Sequence, residues 1–191
     1  MIGELPKALE VGGRMYEIRS DFRAVLQIFT ALADPDLDSR EKCYITLKCL
    51  FKDFESIPPE DIAEAAEKAY WFADGGDIPK GGPAPVRIID WQQDEHLIFP
   101  AVNKAAGFET RAVKYLHWWT FLGLFAEVGE GLFSQVMSIR TKRAKGKKLD
   151  KWEQEFLREH KHLVELKARL TEEEQAAEQA DEEFLKELLG E

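Results

Sequence analysis

Cysteine is scarce in this sequence, with only Cys43 and Cys49 in 191 residues. Both fall in one predicted helix, where six residues give ~9 Å of rise, beyond the ~7 Å Cα separation a disulfide tolerates. Free, buried thiols in a reducing compartment are the expectation. Histidine is scarce too, and the four present form no ligand pair. His96 follows Asp94 and Glu95, and adjacent helical residues diverge rather than converge on a metal. His160 and His162 are two apart and point away from each other. His117 has no carboxylate or histidine three or four residues away, so a partly buried ring donating to a carbonyl is expected. No GxSxG, HExxH or Gly-rich phosphate loop occurs, and "GGDIPKGGP" lacks the GK[ST] ending and a preceding strand. These absences point away from an enzyme, with no catalytic, cofactor-binding or metal-binding residues to name.

Long apolar runs are missing as well. The greasiest stretch, "YLHWWTFLGLFAEV" from Tyr115 to Val128, makes ~21 Å of helix. A bilayer core needs ~30 Å, so a membrane partner is not expected. The opening "MIGELPKALEV" has no basic segment leading into an apolar one, so no secretory signal is expected.

What is present is charge, unevenly placed. The formal net charge is −10, and nine acidic residues against one lysine from Thr171 onward account for −8 of it. Between Arg140 and Lys148 stand six basic residues and no acid. That basic run raises a nucleic-acid reading, since six phosphate contacts would give salt-dependent, sequence-blind binding. Acidic net charge, and the lack of aromatics among the lysines for stacking bases, weigh against it.

Periodicity predicts a mainly α protein. "ALEVGGRMYEI" is the exception, a β-hairpin closed by Gly12-Gly13, with Leu9 opposite Tyr16 and Val11 opposite Arg14. Leu9, Val11, Tyr16 and Ile18 then share a face that must lie on helices or on a neighbour's strand. Helices are expected from Ser20 or Asp21 to about Leu32 and from the Asp38/Glu41 capping box onward. Others open at Pro58-Pro59, at Asp90 with a kink at Pro100 and a stop at Gly107, and at Thr110. Residues 132–140 form another, and a long helix begins at Asp150/Glu153. Residues 74–85 read as a Gly/Pro loop. The expected architecture is a multi-helix orthogonal bundle with a short N-terminal hairpin and a long C-terminal helix and acidic tail. A helical domain over 1–148 is followed by the helix and tail over 149–191.

Two apolar surfaces exceed what such a fold needs. On a wheel, Trp118, Trp119, Leu122 and Phe125, with Tyr115 and Leu116, spread over roughly 180°, where a core-facing stripe needs only ~100°. One reading is a central core helix. The other is that Trp118, Trp119, Leu122 and Phe125 lie at or just beneath a groove for an apolar helix. In the tail, Phe184, Leu185, Leu188 and Leu189 make a narrow stripe, too small to fold alone; it is either part of a disordered tail or a tethered helix that folds into a groove on a neighbour or partner.

"DWQQDEHLIFPAVNKAAGF…VKYLHWWTFLGLFAEVGEGLFSQVMSIR", residues 90–140, resembles the gene-fifteen product family of siphophages and prophages. The shared features are [FW]-x-x-D-x-x-L-I at Trp91, Asp94, Leu97 and Ile98, L-H-W-W-x-F at Leu116 to Phe121, and F-S-x-V-M-x-x-R at Phe133 to Arg140. An opening Y-x-I-x-[ST]-D-F-R matches Tyr16 to Arg23. The acidic extension beyond about 165 is not part of that pattern. The resemblance implies a tail-assembly chaperone: a non-enzymatic protein that coats the helical tape-measure protein and recruits tail-tube subunits of the major tail protein. It would act in the host cytoplasm, as a homo-oligomer, and be absent from the mature virion. The rival readings are a virion tail-completion or connector protein and a nucleic-acid module using 140–148.

Overall fold

The computed structural model of the protein describes residues 3–77, 86–171 and 174. Phe184, Leu185, Leu188 and Leu189, and the 74–85 loop beyond Asp77, lie outside them. Among the described residues the chain is mostly helical, with a single antiparallel hairpin at its start.

Strand β1 (Ala8–Val11) pairs with β2 (Arg14–Glu17) in the expected register, Leu9 opposite Tyr16 and Val11 opposite Arg14. Leu9, Val11 and Ile18 are buried and Tyr16 is half-buried. Their face lies against α3 (Ile62–Ala73) and Phe51, whose ring meets Tyr16 edge-on at 6.3 Å. Arg19 then fastens the hairpin to α2 (Ser39–Leu50), donating through Nη1 to the carbonyls of Lys48 at 3.0 Å and Phe51 at 2.6 Å. Those are helix-end carbonyls that have no intrahelical partner.

Local signals set several helix starts. Asp21 caps α1 (Phe22–Ala33), and Asp38 with Glu41 forms the full capping box of α2. Pro59 heads a 3-10 turn that leads into α3, and Asp150 with Glu153 forms the second capping box, at α7 (Lys151–Glu159). The two cysteines are free, as expected, but half-buried rather than buried.

Four boundaries differ from the sequence expectation. Helix α4 (Glu95–Ala106) starts at Asp94, four residues late, because Asp90 heads a turn instead, accepting from the N–H groups of Gln92 and Gln93. Thr110 does not cap the tryptophan helix; its hydroxyl and N–H bond to Asn103, and α5 (Trp118–Ala126) begins only after His117. Tyr115 and Leu116 therefore precede the helix and belong to no helical arc. The C-terminal helix breaks at His160, leaving α7 and a short α8 (Lys161–Val164) before extended chain. That break brings the rings of His160 and His162 to 6.5 Å instead of pointing them apart. The basic run, by contrast, continues α6 (Leu132–Ala144) for one more turn.

Pro100 sits inside α4, and Gly107 ends it with φ +75°, its N–H returning to the Asn103 carbonyl at 2.8 Å. Gly76, φ +91°, turns the chain after α3 directly beneath Trp119. Gly107→Ala is expected to cost about 1 kcal/mol from backbone strain alone, because nothing lies within 4 Å of the added methyl. Gly76→Ala should cost more, since its Cβ would press to 3.0 Å from a Trp119 ring atom. Urea midpoints of the two variants test that order.

Candidate functional site

The tryptophan motif is largely consumed by the fold. The Trp118 N–H donates to the Ser20 carbonyl at 2.8 Å, and the Phe22 N–H to the Leu116 carbonyl at 3.0 Å, an antiparallel bridge between the two motifs. Asp21 strengthens this clasp by accepting the Leu116 N–H at 3.0 Å. Arg23 bonds the same carboxylate and the carbonyls of Arg111 and Val113. Both indoles then serve α3. Trp118 Nε1 donates to the Ala73 carbonyl at 2.8 Å and Trp119 Nε1 to the Phe72 carbonyl at 2.9 Å, capping the helix end.

Burial divides the four predicted binding residues of α5. Trp118 is fully buried among Phe29, Trp91 and Phe121. Trp119 and Leu122 are half-buried and lie against the turn at Gly75 and Gly76. Phe125, also half-buried, packs on Trp91 at 5.3 Å and on Phe133 at 5.7 Å.

His117 is the N-cap of α5. Its Nδ1 accepts the Trp119 N–H at 3.0 Å, so Nε2 carries the proton and donates to the Pro6 carbonyl at 2.9 Å. This is the carbonyl-bonded histidine expected. Burial lowers its pKa below the usual 6.5 and nearby Lys7 adds to the effect, against the pull of the Pro6 carbonyl.

Beside α5 the residues of two motifs converge on a buried ion pair that the sequence reading did not identify. Arg140, on α6, meets Asp94 through two bonds, Nη1 to Oδ2 at 2.6 Å and Nη2 to Oδ1 at 2.9 Å. Its side chain is 4 % exposed and that of Asp94 1 %. The remaining N–H groups reach the carbonyls of Ile88, Leu163 and Val164, so every guanidinium donor is used. Asp94 also accepts the Asp90 N–H. Asp90 in turn meets Arg87 and Arg169, and burial, which alone would raise its pKa, is outweighed by the Gln93 N–H and these two guanidiniums, which hold it low. Gln93 grips the passing chain from both sides, at the Glu165 carbonyl and the Lys167 N–H. The segment 163–169 is thus a strap across α4 and α6.

A second feature the sequence reading missed is an apolar hollow of about 530 Å³ between α4, the end of α5 and the start of α6. Leu97, Pro100, Ala101, Val128, Leu132 and Phe133 line it, with His96, Lys104, Glu127 and Glu130 around them. Phe125 stands behind Phe133. Leu132 remains 45 % exposed. The connection Gly129-Glu130-Gly131, with two residues lacking side chains between apolar segments, was the available signal.

The basic run is reduced in its turn. Arg140 is internal, Lys142 bonds Glu153 at 2.6 Å, and Arg143 lies 3.8 Å from Glu165. That leaves three of its six cations, Lys145, Lys147 and Lys148, exposed without such partners among the described residues. Among those residues no group of histidine, cysteine and carboxylate side chains is placed to hold a metal. None of their helices is long and apolar enough to cross a membrane.

The sequence matches the family described as Bacteriophage Gp15 protein over residues 1–166, and the chain belongs to that family. It is a phage structural or morphogenesis protein. The match takes in the strap residues Leu163 and Val164 and stops where the acidic extension beyond about 165 begins. Comparison with curated proteins and with solved structures finds no match.

Asp94→Ala should cost about 3–5 kcal/mol, because Arg140 is left buried without its counter-charge. Pairing Arg140→Met with Asp94→Leu should restore only part of this in thermal unfolding, since the carbonyls of Ile88, Leu163 and Val164 then lose their donor. His117 generates a pH dependence. Its folded pKa lies below the unfolded value near 6.5, so the unfolded chain binds the proton first and stability falls as pH drops below about 6.5. Denaturant titrations between about pH 7 and 5.5 should show this fall, reduced in His117→Asn, which keeps a side-chain oxygen for the cap. Equal slopes would remove His117 as the titrating group.

Proposed function

We propose that this protein is a non-enzymatic tail-assembly chaperone that shields the tape-measure protein and helps bring tail-tube subunits to it. The observation that carries the reading is the uncovered hollow at the α4–α5–α6 junction. Its apolar lining and half-exposed Leu132 suit the apolar stripe of a helix, which presents side chains at i, i+3, i+4 and i+7 to a groove. Protein–protein interfaces are among the uses that exposed apolar surface serves. Of the four α5 residues, Phe125 packs on Phe133 of the hollow, while Trp118, Trp119 and Leu122 join α5 to the end of α3. The same reading has the protein acting in the host cytoplasm, as an oligomer, and leaving before the virion is complete.

A tape measure is a long amphipathic helix that must stay soluble until the tube closes around it. Co-expression with the wild-type protein should keep the cognate tape-measure protein in the soluble fraction. Ala101→Glu and Leu132→Glu each place a charge in the hollow and should return it to the pellet, with the chaperone's circular dichroism unchanged. Rescue by both variants at the wild-type level would exclude the hollow as the client site. Mass spectrometry of purified particles separates the virion-component reading, which requires the protein to be present there.

A further inference from the structure

The surface at the start of α7 combines two features absent from the hollow. Trp152 is 51 % exposed, and its ring begins a ladder along the helix, 5.4 Å from Phe156, which lies 4.6 Å from His160. Residues four apart on a helix share a face, so the ladder is one continuous aromatic strip. Just before it, Lys145, Lys147, Lys148 and Lys151 are exposed, and none has a side-chain partner among the described residues. Lys142 is different: it bonds Glu153 and thereby ties the end of α6 to the start of α7. The lysines and the indole therefore sit at one corner of the molecule. Of the acids on α7, Glu153 is taken by Lys142, and Glu155 lies 3.6 Å from Arg158.

One segment of this chain has the complementary chemistry. Residues 175–191 include Glu178, Asp181, Glu182, Glu183 and Glu187, and interleave them with Phe184, Leu185, Leu188 and Leu189. We propose that this acidic tail docks in cis on the α6–α7 corner, its carboxylates over Lys145, Lys147, Lys148 and Lys151 and its apolar side chains against Trp152 and Phe156. The charges are opposite in sign, and each apolar group gains a partner. The docking residues lie seven (Asp181) to fifteen (Leu189) residues beyond Glu174, a reach of up to ~23 to ~50 Å when extended. Tethering also raises the local concentration of the tail to the ~mM range, so a weak contact is populated. Such a contact keeps the tail's greasy residues out of water and loosens as salt screens it. It is independent of the client site in the hollow.

Carbodiimide cross-linking of the full-length protein at low salt, followed by peptide mass spectrometry, tests this. The expected products join Asp181, Glu182, Glu183 or Glu187 to Lys145, Lys147, Lys148 or Lys151. In a mixture of unlabelled and 15N-labelled protein these links should fall within single molecules. Their yield should drop several-fold in about 0.5 M NaCl and in Trp152→Ala, a surface variant that leaves the core untouched. Tail links spread evenly over the other lysines, or no tail links at all, would overturn the proposal. Links between labelled and unlabelled chains would overturn the cis contact in favour of a second copy. An unchanged yield in Trp152→Ala would overturn the aromatic half of the dock.

Discussion

The pairing of Arg140 with Asp94 is the constraint on which the rest of this structure is arranged. Two full charges are taken out of water, and their attraction compensates only when every remaining donor is also satisfied. Here Arg140 uses all its N–H groups at once, two on the carboxylate and the others on three backbone carbonyls. A lysine could not do this, because its three donors radiate from a point while the guanidinium fork reaches separate acceptors in one plane. The pair therefore fixes α4 against α6 and holds the strap at Leu163 and Val164 in place. It also explains why the last helix does not run on: the chain gives up helical hydrogen bonds after Val164 and gains partners on Arg140 and Gln93.

A second clasp organises the other end of the same core. Ser20 and Asp21 hold Leu116 and Trp118 through backbone and carboxylate bonds, and the two indoles close the end of α3. Phe22 and Phe121 complete the joint, stacked at 4.7 Å with their planes 2° apart. The wide aromatic arc of α5 thus has a use within the fold for most of its members. Beyond the helix the fold leaves Leu132 exposed and Val128 half-buried at the hollow beside α4.

Much of this was legible from local chemistry. The hairpin register follows from the Gly12-Gly13 turn, and the capping boxes at Asp38 and Asp150 and the Gly107 stop appear where their residues stand in sequence. These signals need only near neighbours. The starts of α4 and α5 were not legible, because a competing turn at Asp90 and a tertiary bond from Asn103 to Thr110 decided them. The end of α8 at Val164 depends on Arg140, which is distant in sequence. Yet the ion pair left a trace. Trp91, Asp94, Leu97 and Ile98, at i, i+3, i+6 and i+7, put a carboxylate on an apolar face, as Phe133, Val136 and Arg140 put a guanidinium on another. Two such intrusions of opposite sign imply each other, since neither charge is tolerable alone in a core.

The two clasps bear on what the hollow can do. Its walls come from α4 and α6, which the Arg140–Asp94 pair fixes to each other, and from α5, which the Ser20–Trp118 bridge fixes to α1. A cleft between independently anchored helices keeps its shape when empty. A helix proposed to bind there would find its receptor already ordered, and the conformational entropy to be lost would be its own. For a segment that is already helical this cost would be small. A preformed helical face would suit such a cleft better than an extended peptide, which would lose its own backbone freedom on entering and would need main-chain partners.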